Sequence, residues 1–110
     1  MTRDERAGAV FAALADPTRR ALLGRVADDP GVTATVLATP LPVSRQAVVK
    51  HLQALQEAGL VIGERNGREV QWSMTPGALT DAIAWMADVG AQWDHRLERL
   101  RARMTRGKGS

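Results

Sequence analysis

At 110 residues, with 45% hydrophobic and 25% charged side chains, the chain can fill one modest core and not two, and disorder along its whole length is excluded. It has no cysteine, which removes disulfides, thiolate metal sites and cysteine nucleophiles, and leaves His51 and His95 as the only nitrogen ligands. The net charge of +3 is carried almost wholly by arginine, since Lys50 and Lys108 are the only lysines, and it suits a polyanionic partner.

A first helix is expected over Asp4–Leu14, with Ala7, Val10, Phe11 and Leu14 on one face. The longest apolar run, Ala7–Ala15, is about half of the ~18 residues a membrane span needs, and the opening MTRDER has no signal-peptide pattern. A cytoplasmic protein with no membrane partner is therefore expected. Asp16 before Pro17 reads as an N-cap with proline at the first helical position, so a second helix starts there, runs through Leu22, Leu23 and Val26, and ends at the DDPG of 28–31. A short third helix over 33–38 is broken by Pro40 and Pro42. Ser44 then caps a fourth helix, with Val48, Leu52 and Leu55 as its apolar stripe and Gly59 at the left-handed C-terminal position.

Two strand segments follow, 60–65 and 68–74, separated by Asn66-Gly67, which is the signal for a hairpin with a type I′ turn. Val70, Trp72 and Met74 alternate with polar residues, so one face of the hairpin is buried. Thr75-Pro76 repeats the cap-plus-proline start, giving a last helix over about 76–104. Residues 1–104 form one domain, and 105–110 are expected to be a flexible tail.

On that last helix Leu79, Ile83, Met86, Gly90, Trp93, Leu97, Leu100 and Met104 recur at alternating steps of four and three, a heptad seam. A helix this long extends past its own core, so the seam needs a partner, and the simplest partner is a second copy. Phe11 and Leu14 of the first helix complete the expected interface. The fold expected is mainly α with a small β-hairpin: five helices and a two-stranded wing, dimeric through the first and last helices.

Short helix, proline-bearing turn, capped helix, hairpin: this order is a helix-turn-helix followed by a wing, which inserts the N-terminal end of its second helix into the DNA major groove. Arg45 and Gln46 can pair bidentately with guanine and adenine edges, and Ser44 at the positive helix end attracts a phosphate. Val49 and Lys50 lie a turn further on, and an exposed Val49 suits a thymine methyl better than water. At the hairpin tip Arg65, Asn66 and Arg68 can reach a minor groove or a phosphate. Charges on an isolated helix are usually no more than a solvated face, and Arg65 and Arg68 could simply keep an exposed edge soluble; the short helix before and the hairpin after favour a double-stranded DNA operator. The competing reading is a winged helix that has lost DNA binding and docks a protein. Catalysis is not expected, because two separated histidines offer no converging nucleophile, base and metal.

The stretches ALADPTRRALL (13–23), PVSRQAVVKHLQALQEAGLV (42–61) and REVQWSM (68–74) resemble the ArsR/SmtB-type winged-helix repressors, over nearly the whole chain from about Arg6 to Met104. The resemblance implies a homodimer paired through first and last helices, repression by operator binding, and release by an inducer. It departs from the family at Val49, where the family has serine before its lysine-histidine-leucine triplet. It departs again in TATVLAT (33–39), where metal-sensing members carry cysteines. The family's zinc-type site on the last helix needs an Asp-x-His pair, and Ala82 and Ala84 stand at those positions, so His95 and Glu98, with Asp94 beside them, lack their counterpart. No metal or cofactor is expected. His95 is expected to be a surface residue among Arg96, Glu98 and Arg99, which form helical ion pairs, and His51 to be a hydrogen-bonded packing residue. Trp85, Met86, Val89 and Trp93 are at core spacing, with a pocket for an apolar small-molecule effector between the last helices as the alternative.

Overall fold

In the computed structural model, which describes residues 1–108, four helices open on a side chain that takes up backbone N–H groups left over by the first turn. For α1 (Arg3–Ala13) this is Thr2, whose Oγ1 accepts from the Glu5 N–H at 3.1 Å. For α2 (Pro17–Asp28) it is Asp16, whose Oδ1 accepts from Thr18 at 2.7 Å and Arg19 at 3.2 Å. The Arg19 N–H is the main cause holding the Asp16 carboxyl below its usual range, against some desolvation. The contribution of this cap is thus present above the ordinary carboxylate pKa and is lost as pH falls through the lowered one. Thr33 caps α3 (Ala34–Ala38), and Ser44 caps α4 (Arg45–Glu57) by accepting from Ala47 at 3.1 Å.

The core lies where α2, α3 and α4 meet the sheet. Leu22, Val26, Leu37, Val48, Leu52, Leu55, Leu60 and Val61 are at most 1% exposed, each such side chain contributing roughly 1.5–3 kcal/mol on burial. Gly59, at φ +80°, ends α4 as expected and turns the chain into the sheet.

The predicted hairpin is present as β2 (Val61–Asn66) and β3 (Glu69–Met74), and a third strand joins it: β1 (Val32–Thr33) pairs antiparallel with β3, giving the order β1-β3-β2. Two residues are too short to show alternation, so β1 leaves no signal in the sequence. It is held by the Gly31 N–H, which donates to the Trp72 carbonyl at 2.9 Å and to Ser73 Oγ at 3.1 Å.

The hairpin turn differs from the expected one. Asn66 pairs with Glu69 as a strand residue, so the two central residues are Gly67 and Arg68, and only Gly67 has positive φ (+65°). A type I′ turn requires positive φ twice; a single one, on glycine at the first central position, is the type II′ pattern. Gly63 stands opposite Trp72, and a Cβ on it would lie 2.9 Å from the Trp72 ring and 3.0 Å from Val70. Gly63→Ala is expected to cost about 1–3 kcal/mol by displacing that ring, read as a lowered thermal midpoint, and an unchanged midpoint would show that the ring moves freely.

The last helix, α5, spans Thr80–Lys108, starting four residues later than expected. Gly77 (φ +68°) stops helix growth from Pro76, and 75–79 form successive turns, with Ala78 bonded to the Thr75 carbonyl and Thr80 to that of Gly77. It continues past the expected end at Met104, and of the tail, Gly109 and Ser110 lie outside the described residues. The helix α1 is docked on the first half of α5: Arg3 Nη2 meets Asp88 and Arg6 Nε meets Asp81, both at 2.6 Å, and Phe11 packs edge-on against Trp85 at 5.3 Å. No helix among the described residues is long and apolar enough to cross a membrane.

Candidate nucleic-acid interface

The short helix α3 and the turn after it fix where α4 begins. Arg25 of α2 donates from Nη1 to the Leu37 carbonyl at 2.6 Å, taking up an end carbonyl of α3, while Leu41 and Val43 of the connecting turn pack against the core. The buried stripe Val48, Leu52 and Leu55 then fixes the rotation of α4, and Arg19 of α2 donates to His51 Nδ1 at 3.4 Å from the flank. His51 is thus the half-buried, hydrogen-bonded residue that its place beside the stripe implies.

With the stripe inward, Ser44, Arg45, Gln46 and Lys50 are exposed around the N-terminal turn of α4. Val49 is not: it is half-buried and packs against the core, because it lies on the flank of the stripe rather than opposite it. Only part of its side chain remains to meet a ligand. Arg45 is not free in all directions either. Its Nε donates to Thr35 Oγ1 on α3 at 3.1 Å, which fixes the base of the guanidinium. A threonine in TATVLAT carries no signal of its own in the sequence; only the packing of α3 beside α4 shows the role of Thr35.

The wing is tied to the same helix. Gln56 Oε1 of α4 accepts from the Gly63 N–H of β2 at 3.0 Å. Arg65, Asn66 and Arg68 are exposed at its tip. Arg68 is a turn residue, whereas Arg65 pairs with Val70 inside the ribbon, so the two cations stand on unequal supports. Among the described residues none of Arg45, Lys50, Arg65 and Arg68 has a carboxylate within 4.0 Å, so their charge is available to an anion.

The predicted interface residues of the last helix are exposed in the single protomer: Ile83, Met86, Trp93, Leu97, Leu100 and Met104 each show half or more of their surface. Phe11, Leu14 and Leu79 are half-buried against the core. The ion pairs expected around His95 are not formed among the described residues; Arg96 lies over the Trp93 ring at 5.7 Å instead. Within the single protomer Trp85 turns toward Phe11, while Met86 and Trp93 face outward. No three His, Cys, Asp or Glu side chains among the described residues are grouped so as to hold a metal.

Comparison with known proteins agrees with this architecture. Residues 14–64 match a helix-turn-helix domain family. The transcriptional repressor SdpR of Bacillus subtilis is 31% identical over 88 residues, covering 80% of this chain and 97% of the relative. The solved structure of an ArsR-like transcriptional regulator from Rhodococcus sp. RHA1 is 41% identical with a TM-score of 0.75, covering 87% of this chain and 90% of that one. A homodimeric winged helix-turn-helix DNA-binding domain from Mycobacterium bovis, a possible ArsR-family regulator, is 26% identical with a TM-score of 0.60, covering 86% and 84%. With the capped α4, its exposed Arg45 and Gln46, and the arginine-tipped wing all in place, the chain belongs to the ArsR family of winged helix-turn-helix transcriptional regulators.

Proposed function

We propose that this regulator is a homodimeric repressor that reads an inverted-repeat operator in double-stranded DNA. The observation that carries the proposal is the exposed first turn of α4, where Ser44, Arg45 and Gln46 stand at a capped, positive helix end with no competing carboxylate. Thr35 takes Nε of Arg45, so its two terminal nitrogens are left for the O6 and N7 of a guanine. Gln46 reads an adjacent base, Lys50 and the wing residues Arg65, Asn66 and Arg68 hold phosphates or a narrow groove, and the half-buried Val49 adds at most a methyl contact. The relative SdpR is a repressor by description and the Mycobacterium bovis domain is homodimeric, which supports both parts of the reading.

Selecting bound fragments from the source genome tests this directly. The recovered sites are expected to contain an inverted repeat with half-site centres ~34 Å apart, one helical turn, or a multiple of it. Sites without twofold symmetry would contradict the homodimeric reading. Repression is proposed to be independent of metal, since His95 and Glu98 have no Asp-x-His counterpart in the sequence. A chelator is expected to change neither operator affinity nor the thermal midpoint, and a zinc-induced shift that disappears in His95→Ala would refute this.

A further inference from the structure

The wing is anchored in the core at its root only. Leu60 and Val61 are at most 1% exposed, the Leu60 N–H donates to the Leu55 carbonyl at 2.9 Å, and the Thr75 N–H donates to the Leu60 carbonyl at 3.0 Å. From Glu64 to Glu69 every residue is exposed, so no burial fixes the direction of the outer ribbon. A ribbon held at its root alone can pivot. A second fixed point is needed if the arginines at the tip are to stand at a set distance from the first turn of α4.

Gln56 supplies that point. It lies in the last turn of α4, and its Oε1 accepts from the Gly63 N–H at 3.0 Å. The order β1-β3-β2 leaves β2 at the edge of the sheet. With Asn66 and Glu69 closing the two-residue turn, hydrogen-bonded pairs alternate along the ribbon, and the Gly63 N–H, opposite Trp72, falls on the free edge. An N–H can only donate, so the Gln56 amide must present its oxygen there. Gly63 also abuts the Trp72 ring, which a Cβ would approach to 2.9 Å. Gly63 is thus held by α4 and by β3 together, and beyond it, among the described residues, β2 is bonded to β3 alone.

We propose, resting on the reading that α4 and the wing both contact DNA, that Gln56 is a positioning residue that sets the angle between them. From Val61 to Gly67 the ribbon is ~20 Å long, so a swing of about 10° about its root carries the tip roughly 3 Å. A charge-assisted hydrogen bond to phosphate spans ~2.8 Å, and a shift of that size breaks it. In this role Gln56 touches neither base nor phosphate; it acts through Arg65 and Arg68.

A double-mutant cycle distinguishes this from a bond that only steadies the hairpin. Gln56→Leu removes the acceptor at an exposed position and is expected to weaken operator binding roughly three- to tenfold, with thermal midpoint and helix content those of the parent. In a chain already carrying Arg65→Ala and Arg68→Ala the same change is expected to cost nothing further, whereas in Arg45→Ala it is expected to cost its full amount. Gln56→Glu keeps the acceptor, so removing both wing arginines in its background is expected to cost as much as in the parent, whatever the added charge does to affinity as a whole. An equal cost of Gln56→Leu with and without the wing arginines would overturn the proposal, as would operator binding unchanged by Gln56→Leu, or a wing contribution lost in Gln56→Glu. Each of these leaves the operator reading standing. A parent protein that binds no duplex DNA would remove both.

Discussion

Leu97→Glu is expected to leave the protein monomeric at low micromolar concentration and, with that, to abolish tight binding to a twofold-symmetric site. Leu97 is half exposed in the protomer, so glutamate there disturbs nothing within the chain itself. In the proposed dimer it places a carboxylate in an apolar seam at two related positions. Burying an unpaired charge costs several kcal/mol, far more than a surface substitution. Circular dichroism should remain helical while light scattering reports half the mass. A Leu97→Glu protein that is still dimeric would show that the seam lies elsewhere.

Most of the architecture is legible in local signals whose physics is short-range. Asp16-Pro17 and Ser44 mark helix starts because an N-cap acts within one turn, and Val48, Leu52 and Leu55 mark a buried face because helical periodicity repeats every few residues. The structure adds what depends on distant partners. The strand β1 exists only because β3 offers an edge to two residues, and the hairpin takes a type II′ turn because the register places Gly67, not Asn66, first. The start of α5 departs from expectation for a local reason: Thr75-Pro76 is a good cap signal, but Gly77 adopts positive φ immediately after it. At the interface, residue types and exposure at Arg45 and Gln46 are legible. The Thr35 hydroxyl that holds Arg45, and the partial burial of Val49, are not, because each follows from how α3 and α4 sit against the rest of the chain.

The second large effect separates residues that read bases from residues that hold the backbone. Arg45→Ala is expected to cost about 1–3 kcal/mol per subunit on the operator and to relax preference at defined positions, because the bidentate pairing with guanine is removed. Thr35→Val, which removes the hydroxyl that accepts from Nε, is expected to reproduce part of that effect. Alanine at Arg65 or Arg68 should weaken operator and random duplex alike and flatten the dependence of log affinity on log salt by roughly one for each phosphate no longer neutralised.

A salt titration of Arg45→Ala on operator and on random duplex therefore tests the account most directly. The expected result is a loss of affinity confined to the operator, with the salt dependence on random DNA essentially that of the parent protein. An equal loss on both duplexes with base preferences intact would contradict it, since Arg45 would then be a phosphate anchor and sequence would have to be read from elsewhere.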